Sequence, residues 1–195
     1  MEKLSRILTD YLVQRGAIVS EKSCIYQYGL QIGLEVSINT CISILIAVLC
    51  HMECESIVFF GVFMVLRSYA GGLHLKTYIS CLICSCMSLL GLLLIVKYVE
   101  INNLLSMGLV CISLFLIKIL SPVQDINRTL STDELIRFSK KLNFSIIEIL
   151  FISIIFYFMK LEKMLLMISV TTIFMVVILI LGKINYEKCI RNSQR

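Results

Sequence analysis

Residues 164–181 read Met-Leu-Leu-Met-Ile-Ser-Val-Thr-Thr-Ile-Phe-Met-Val-Val-Ile-Leu-Ile-Leu, eighteen positions without a charge. A run of that length fits a bilayer core of roughly 30 Å, which an α-helix crosses with about 20 residues. Inside lipid each backbone polar group has to be satisfied within its own segment, so the run predicts a spanning helix. Comparable runs recur outward over Phe144–Met159, Leu104–Leu120, Ser80–Val96 and Ile25–Leu49, and Ile57–Leu66 is a shorter one of ten residues. The 195-residue chain is 58% hydrophobic with a single proline. The fold class expected is all-α: a polytopic membrane helix bundle of six apolar segments. The short run leaves two topologies open, either six crossings or four full spans plus a re-entrant pair bending at Gly71-Gly72.

Ahead of the first span, Leu4, Ile7, Leu8, Tyr11 and Leu12 recur at steps of three and four, with Lys3, Arg6, Asp10 and Gln14 mostly opposite. This amphipathic helix either lies on the cytoplasmic leaflet or caps the protein itself. The expected division is a membrane-surface helix over 1–22, a membrane-embedded domain over 23–184 and a basic cytoplasmic tail over 185–195. The first residues lack the apolar core and cleavage site of a signal peptide. With the N-terminus inside and six crossings, fifteen lysines and arginines fall on the cytoplasmic side and three (Lys97, Lys160, Lys163) outside. That is a positive-inside bias, and it accounts for the net charge of +5. No Lys/Arg cluster is interleaved with aromatics, so no nucleic-acid partner is expected. The nine cysteines have no regular spacing and suggest no disulfide framework.

Between two apolar runs lies a polar island, Arg67-Ser-Tyr-Ala-Gly-Gly-Leu-His-Leu-Lys-Thr-Tyr-Ile-Ser-Cys-Leu-Ile-Cys-Ser85. A Cys–His pair is the minimal equipment for thiol nucleophilic catalysis. On one straight helix His74 and Cys81 would stand about 10 Å apart along the axis, whereas proton sharing needs about 3–3.5 Å. His74 must therefore fold back from the glycine bend over the start of the Cys81 helix, or the partner comes from another subunit. A position near a helix N-terminus favours negative charge on the Cys81 sulfur, and the free amides there suit an oxyanion. Ser85 lies one turn further on the same face. Arg67 either meets a substrate carboxylate or stabilises the bend. The bland alternative is a solvated loop with Cys81 as filler. Zinc is disfavoured, because Cys81, Cys84 and Cys86 do not share one helix face; neither metal nor cofactor is expected. His51, in an acidic loop, is incidental.

Gln27, Gln31, Glu35 and Asn39 follow one another at four-residue steps in the first span and form a polar stripe. The stripe is helix–helix glue, or Gln31 and Glu35 line a cavity that holds substrate. Two rival functions remain: a small transporter or channel using Glu35, and a non-catalytic membrane scaffold.

Arg67, Gly71, Gly72, His74, Cys81 and Ser85 together resemble the core motif of the AgrB family, membrane cysteine endopeptidases that mature quorum-sensing peptides. The segment Ser-Pro-Val-Gln-Asp-Ile-Asn-Arg-Thr-Leu from Ser121 resembles that family's loop in part, with Thr129 where a proline often stands. The resemblance implies a multi-pass protein of the bacterial cell membrane, with its active site on the cytoplasmic side and membrane lipid around it. It implies Cys81 as nucleophile, His74 as base and later acid, an acyl-thioester, and closure of a thiolactone or lactone ring. The implied partners are a short AgrD-like precursor with an amphipathic leader and acidic tail, and a second copy in a homodimer.

Overall fold

A computed structural model describes residues 2–16, 18–19, 23–71, 78–121 and 132–193. Its elements are seven α-helices: α1 Glu2–Gln14, α2 Ser23–Cys50, α3 Glu53–Ala70, α4 Tyr78–Tyr98, α5 Asn103–Leu120, α6 Thr132–Phe158 and α7 Glu162–Ser193. The chain is thus an all-α membrane bundle, and the six apolar segments correspond to α2–α7. Five helices, α2, α4, α5, α6 and α7, are long and apolar enough to cross a membrane. The residues expected as a tail continue α7 as far as Ser193.

α3 falls outside those five because Glu53, Glu55 and Arg67 occupy its ends. It nevertheless runs the depth of the bundle alongside α7. Near its start Phe59 packs with Leu166 and Met167 of α7 and with Leu89, Leu92, Leu93 and Val96 of α4. Further along, Val62, Leu66 and Ala70 pack with Met175, Val176 and Leu179 of α7, Val110, Leu114 and Ile117 of α5, and Leu142, Ile146 and Ile149 of α6. The ten-residue apolar run is therefore the middle of a continuous 18-residue helix.

Side-chain contacts fix the helix directions. Ser85 meets Asn39 and Lys97 meets the Cys50 carbonyl, so α2 and α4 run parallel. Asn103 meets Glu162 and Ser113 meets Thr172, so α5 and α7 run parallel in the opposite sense. Two tight turns at one end reverse the chain. His51 (φ 57) and Lys160 (φ 56) are left-handed, and the amides after them, Met52 and Leu161, reach back to the carbonyls of Ala47 and Phe156 at 3.1 and 3.0 Å. This is the Schellman arrangement, which satisfies helix-end carbonyls.

Every buried polar residue among those described is a serine or threonine: Ser43, Ser56, Ser106, Ser113, Ser145, Ser153, Ser169, Thr171 and Thr172 in the bundle, Ser5 and Thr9 in α1. Lipid tails are as apolar as leucine, so helices in a bilayer associate through close packing of small residues and through interhelical hydrogen bonds. The 2.7 Å bond from Ser113 Oγ to Thr172 Oγ1 is one of these.

α1 packs on α2 with Ser5 and Thr9 buried, while Leu4, Ile7, Leu8 and Tyr11 stay exposed, Ile7 to 64%. The helix thus buries small polar residues and leaves its apolar side uncovered.

Candidate active site

The polar island spans the end of α3 and the start of α4. α3 stops at Gly71, whose φ of 80° and ψ of −149° lie in a region that is essentially glycine-only. Arg67, in the last turn, donates from Nη1 to the Gly71 carbonyl at 3.2 Å. The guanidinium is thus bonded across the bend. α6 steadies the same turn: the Lys141 ammonium lies 5.7 Å from the Tyr69 ring centroid, and the Phe138 ring is 6.5 Å from that of Tyr69. Gly72 and His74 lie outside the described residues.

Cys81 is exposed and falls in the first turn of α4 as described from Tyr78. Cys84 is exposed too, and Cys86 is half-buried. Among the described residues no three His, Cys, Asp or Glu side chains gather as a metal site.

The polar stripe of α2 turns toward this turn of α4. Gln31 Nε2 donates to Glu35 Oε1 at 3.0 Å. Tyr78 Oη donates to the Glu35 backbone carbonyl at 3.3 Å, and Ser85 Oγ donates to Asn39 Oδ1 at 2.8 Å. The Ser85 hydroxyl also lies 3.0 Å from the Leu82 carbonyl, so its single proton is shared between those acceptors. At this level α2 meets the helix that carries Cys81 through the Glu35 backbone carbonyl and the Asn39 side chain.

The helix directions put Arg67, Lys118, Arg137, Lys140, Lys141, Lys183 and Lys188 toward the Cys81 end of the bundle. Glu53, Glu55, Glu100 and Glu162 lie toward the other end, with Lys97, Lys160 and Lys163. His51 is at that other end. Counting along α2 from Asn39, the partner of Ser85, it stands roughly 24 Å from the level of Cys81. Of the two histidines, His51 is thus too far to serve Cys81 within one chain.

Two residues stand out that the sequence pattern does not single out. Tyr78 reads as an ordinary interfacial aromatic; its acceptor is 43 residues away in the chain. Glu148 is exposed on α6, ten residues and about 15 Å short of Phe158 along the helix. It makes no hydrogen bond or ion pair with the described residues. Its signal was visible as the one carboxylate inside the run 144–159.

The family model AgrB, Accessory gene regulator B, matches residues 5–181. Comparison with curated proteins gives no match, and comparison with solved structures gives none either.

Proposed function

The chain belongs to the Accessory gene regulator B family and takes part in processing a quorum-sensing propeptide; from that premise we propose that it is a membrane-embedded cysteine peptidase and cyclase with Cys81 as nucleophile and His74 as base. The observation that carries this reading is an exposed Cys81 thiol in the first described turn of α4, ten residues along the chain from the bend at Gly71. His74 is four residues from Tyr78, so chain length keeps its Cα within about 14 Å of the helix start. An imidazole folded back over that turn, from this chain or from a second copy in a homodimer, meets the sulfur.

His74 takes the Cys81 proton, and the thiolate attacks the scissile carbonyl of the precursor. First-turn amides of α4 hold the oxyanion. As the tetrahedral intermediate collapses, the imidazolium gives its proton to the departing amine of the C-terminal piece, leaving an acyl-thioester on Cys81. A cysteine or serine in the retained peptide then attacks the thioester carbonyl, closes a thiolactone or lactone, and frees the Cys81 thiol. Thioester exchange keeps the acyl group activated, and a site at the membrane face limits competing water.

The basic end of the bundle lies in the cytoplasm of a bacterial cell membrane, as the positive-inside rule directs, and suits the acidic tail of an AgrD-like precursor. The exposed apolar side of α1 rests in the lipid surface, where the amphipathic leader of the precursor also docks. Gln31 and Glu35 border the peptide path.

Co-expression of the chain with a short AgrD-like precursor, followed by mass spectrometry, tests the reading. Cys81→Ala and His74→Ala should each abolish product while membrane insertion persists. Cleavage that continues in Cys81→Ala would overturn it.

A further inference from the structure

Core packing does not hold the nucleophile's half of α4. Its buried residues are Leu89, Leu92, Leu93 and Val96, all in the second half; residues 78–88 include none that is buried. The facing part of α2 is similar, since its buried residues are Ser43 and Ala47, beyond Asn39. The lower halves of these two parallel helices are instead joined by two hydrogen bonds that bracket Cys81. Three residues before it, Tyr78 Oη binds the Glu35 carbonyl at 3.3 Å. Four residues after it, Ser85 Oγ binds Asn39 Oδ1 at 2.8 Å. Steps of three and four place 78, 81 and 85 along one side of the helix, so the exposed Cys81 thiol lies between the two residues bonded to α2.

We propose that α2 is a splint for the nucleophile: Tyr78 and Ser85, through the Glu35 carbonyl and Asn39, are positioning residues that set where Cys81 stands. The proposal rests on Cys81 being the nucleophile. Because residues 78–88 are at most half-buried, releasing either bond lets this stretch of the helix shift. A displacement of about 1 Å at a reacting group costs on the order of 100-fold in rate, so partial release of one bond should cost about tenfold.

The experiment measures cleavage of a synthetic AgrD-like precursor, using the full chain reconstituted in lipid vesicles. Tyr78→Phe and Ser85→Ala should each lower kcat about tenfold with KM within about twofold, and should speed hydrogen exchange at residues 78–85. The exchanged pair Asn39→Ser with Ser85→Asn restores a donor and an acceptor across the same gap, and should return kcat to within about threefold of the parent. Unchanged kcat in both single variants overturns the splint. So does a rise in KM at constant kcat, which would mean that these groups touch the peptide. A kcat loss that the exchanged pair does not recover also overturns it. Cys81→Ala separates the two levels: if it still cleaves, the nucleophile assignment falls; if it is dead while Tyr78→Phe and Ser85→Ala match the parent, only the splint falls.

Discussion

Replacing Gly71 with alanine puts a Cβ on a residue at φ 80°, ψ −149°. Holding a non-glycine residue in such a region costs of order 1–3 kcal/mol. The bend cannot relax freely, because the Arg67 guanidinium is bonded to the Gly71 carbonyl at 3.2 Å; rotating that peptide gives up a charge-assisted bond in the last turn of α3. If the whole cost falls on the bent conformer, its population drops about 5- to 150-fold. Gly61 is the matched control. It lies inside the same helix, and an added Cβ there meets nothing within 4 Å. Alanine at that place should be neutral or stabilising by about 0.5–1 kcal/mol. The assay is precursor cleavage by the reconstituted protein at saturating peptide, with thermal unfolding recorded alongside. Gly71→Ala should lose rate within the stated range, and Gly61→Ala should keep it. A Gly71→Ala protein with parental rate and melting temperature would refute the bend argument, as would equal damage from both variants.

Three further perturbations probe the bundle. Ser113→Ala removes the hydroxyl donating to Thr172 and should cost about 0.6–1.7 kcal/mol of unfolding free energy in bicelles; a double-mutant cycle with Thr172→Val that shows no coupling would contradict the contact. Glu148→Leu should raise the melting temperature in bilayers if the exposed carboxylate faces lipid, and a lowered one would mean that protein covers it. A tryptophan at Ile7, on the exposed side of α1, should be quenched by brominated acyl chains more strongly than one at Arg6, and equal quenching would take α1 out of the lipid surface.

The apolar runs announced the bundle because a bilayer demands long uncharged helices, and 164–181 could be little else. The four-residue spacing of Gln31, Glu35 and Asn39 likewise announced a face that meets protein, and Gly71 a bend. Three things were hidden for physical reasons. α3 looked too short because Glu53, Glu55 and Arg67 trim the uncharged run, although burial from Phe59 to Ala70 carries the helix through the bundle. α1 showed two faces, but pattern alone does not say which one protein covers; in a membrane the small polar side, Ser5 and Thr9, can be the covered one. Tyr78 bonds a backbone carbonyl 43 residues away, and a backbone acceptor leaves no mark on side-chain identity.

The most direct measurement is the intact mass of the reconstituted protein after incubation with a precursor whose ring-closing cysteine or serine is replaced by alanine. With closure blocked, the account predicts that the retained peptide stays on Cys81 as a thioester. The adduct should equal the peptide mass minus water lost at the new bond, be released by hydroxylamine, and be absent in Cys81→Ala. Cleavage of that precursor with no adduct at any time, or an adduct that persists in Cys81→Ala, would contradict it.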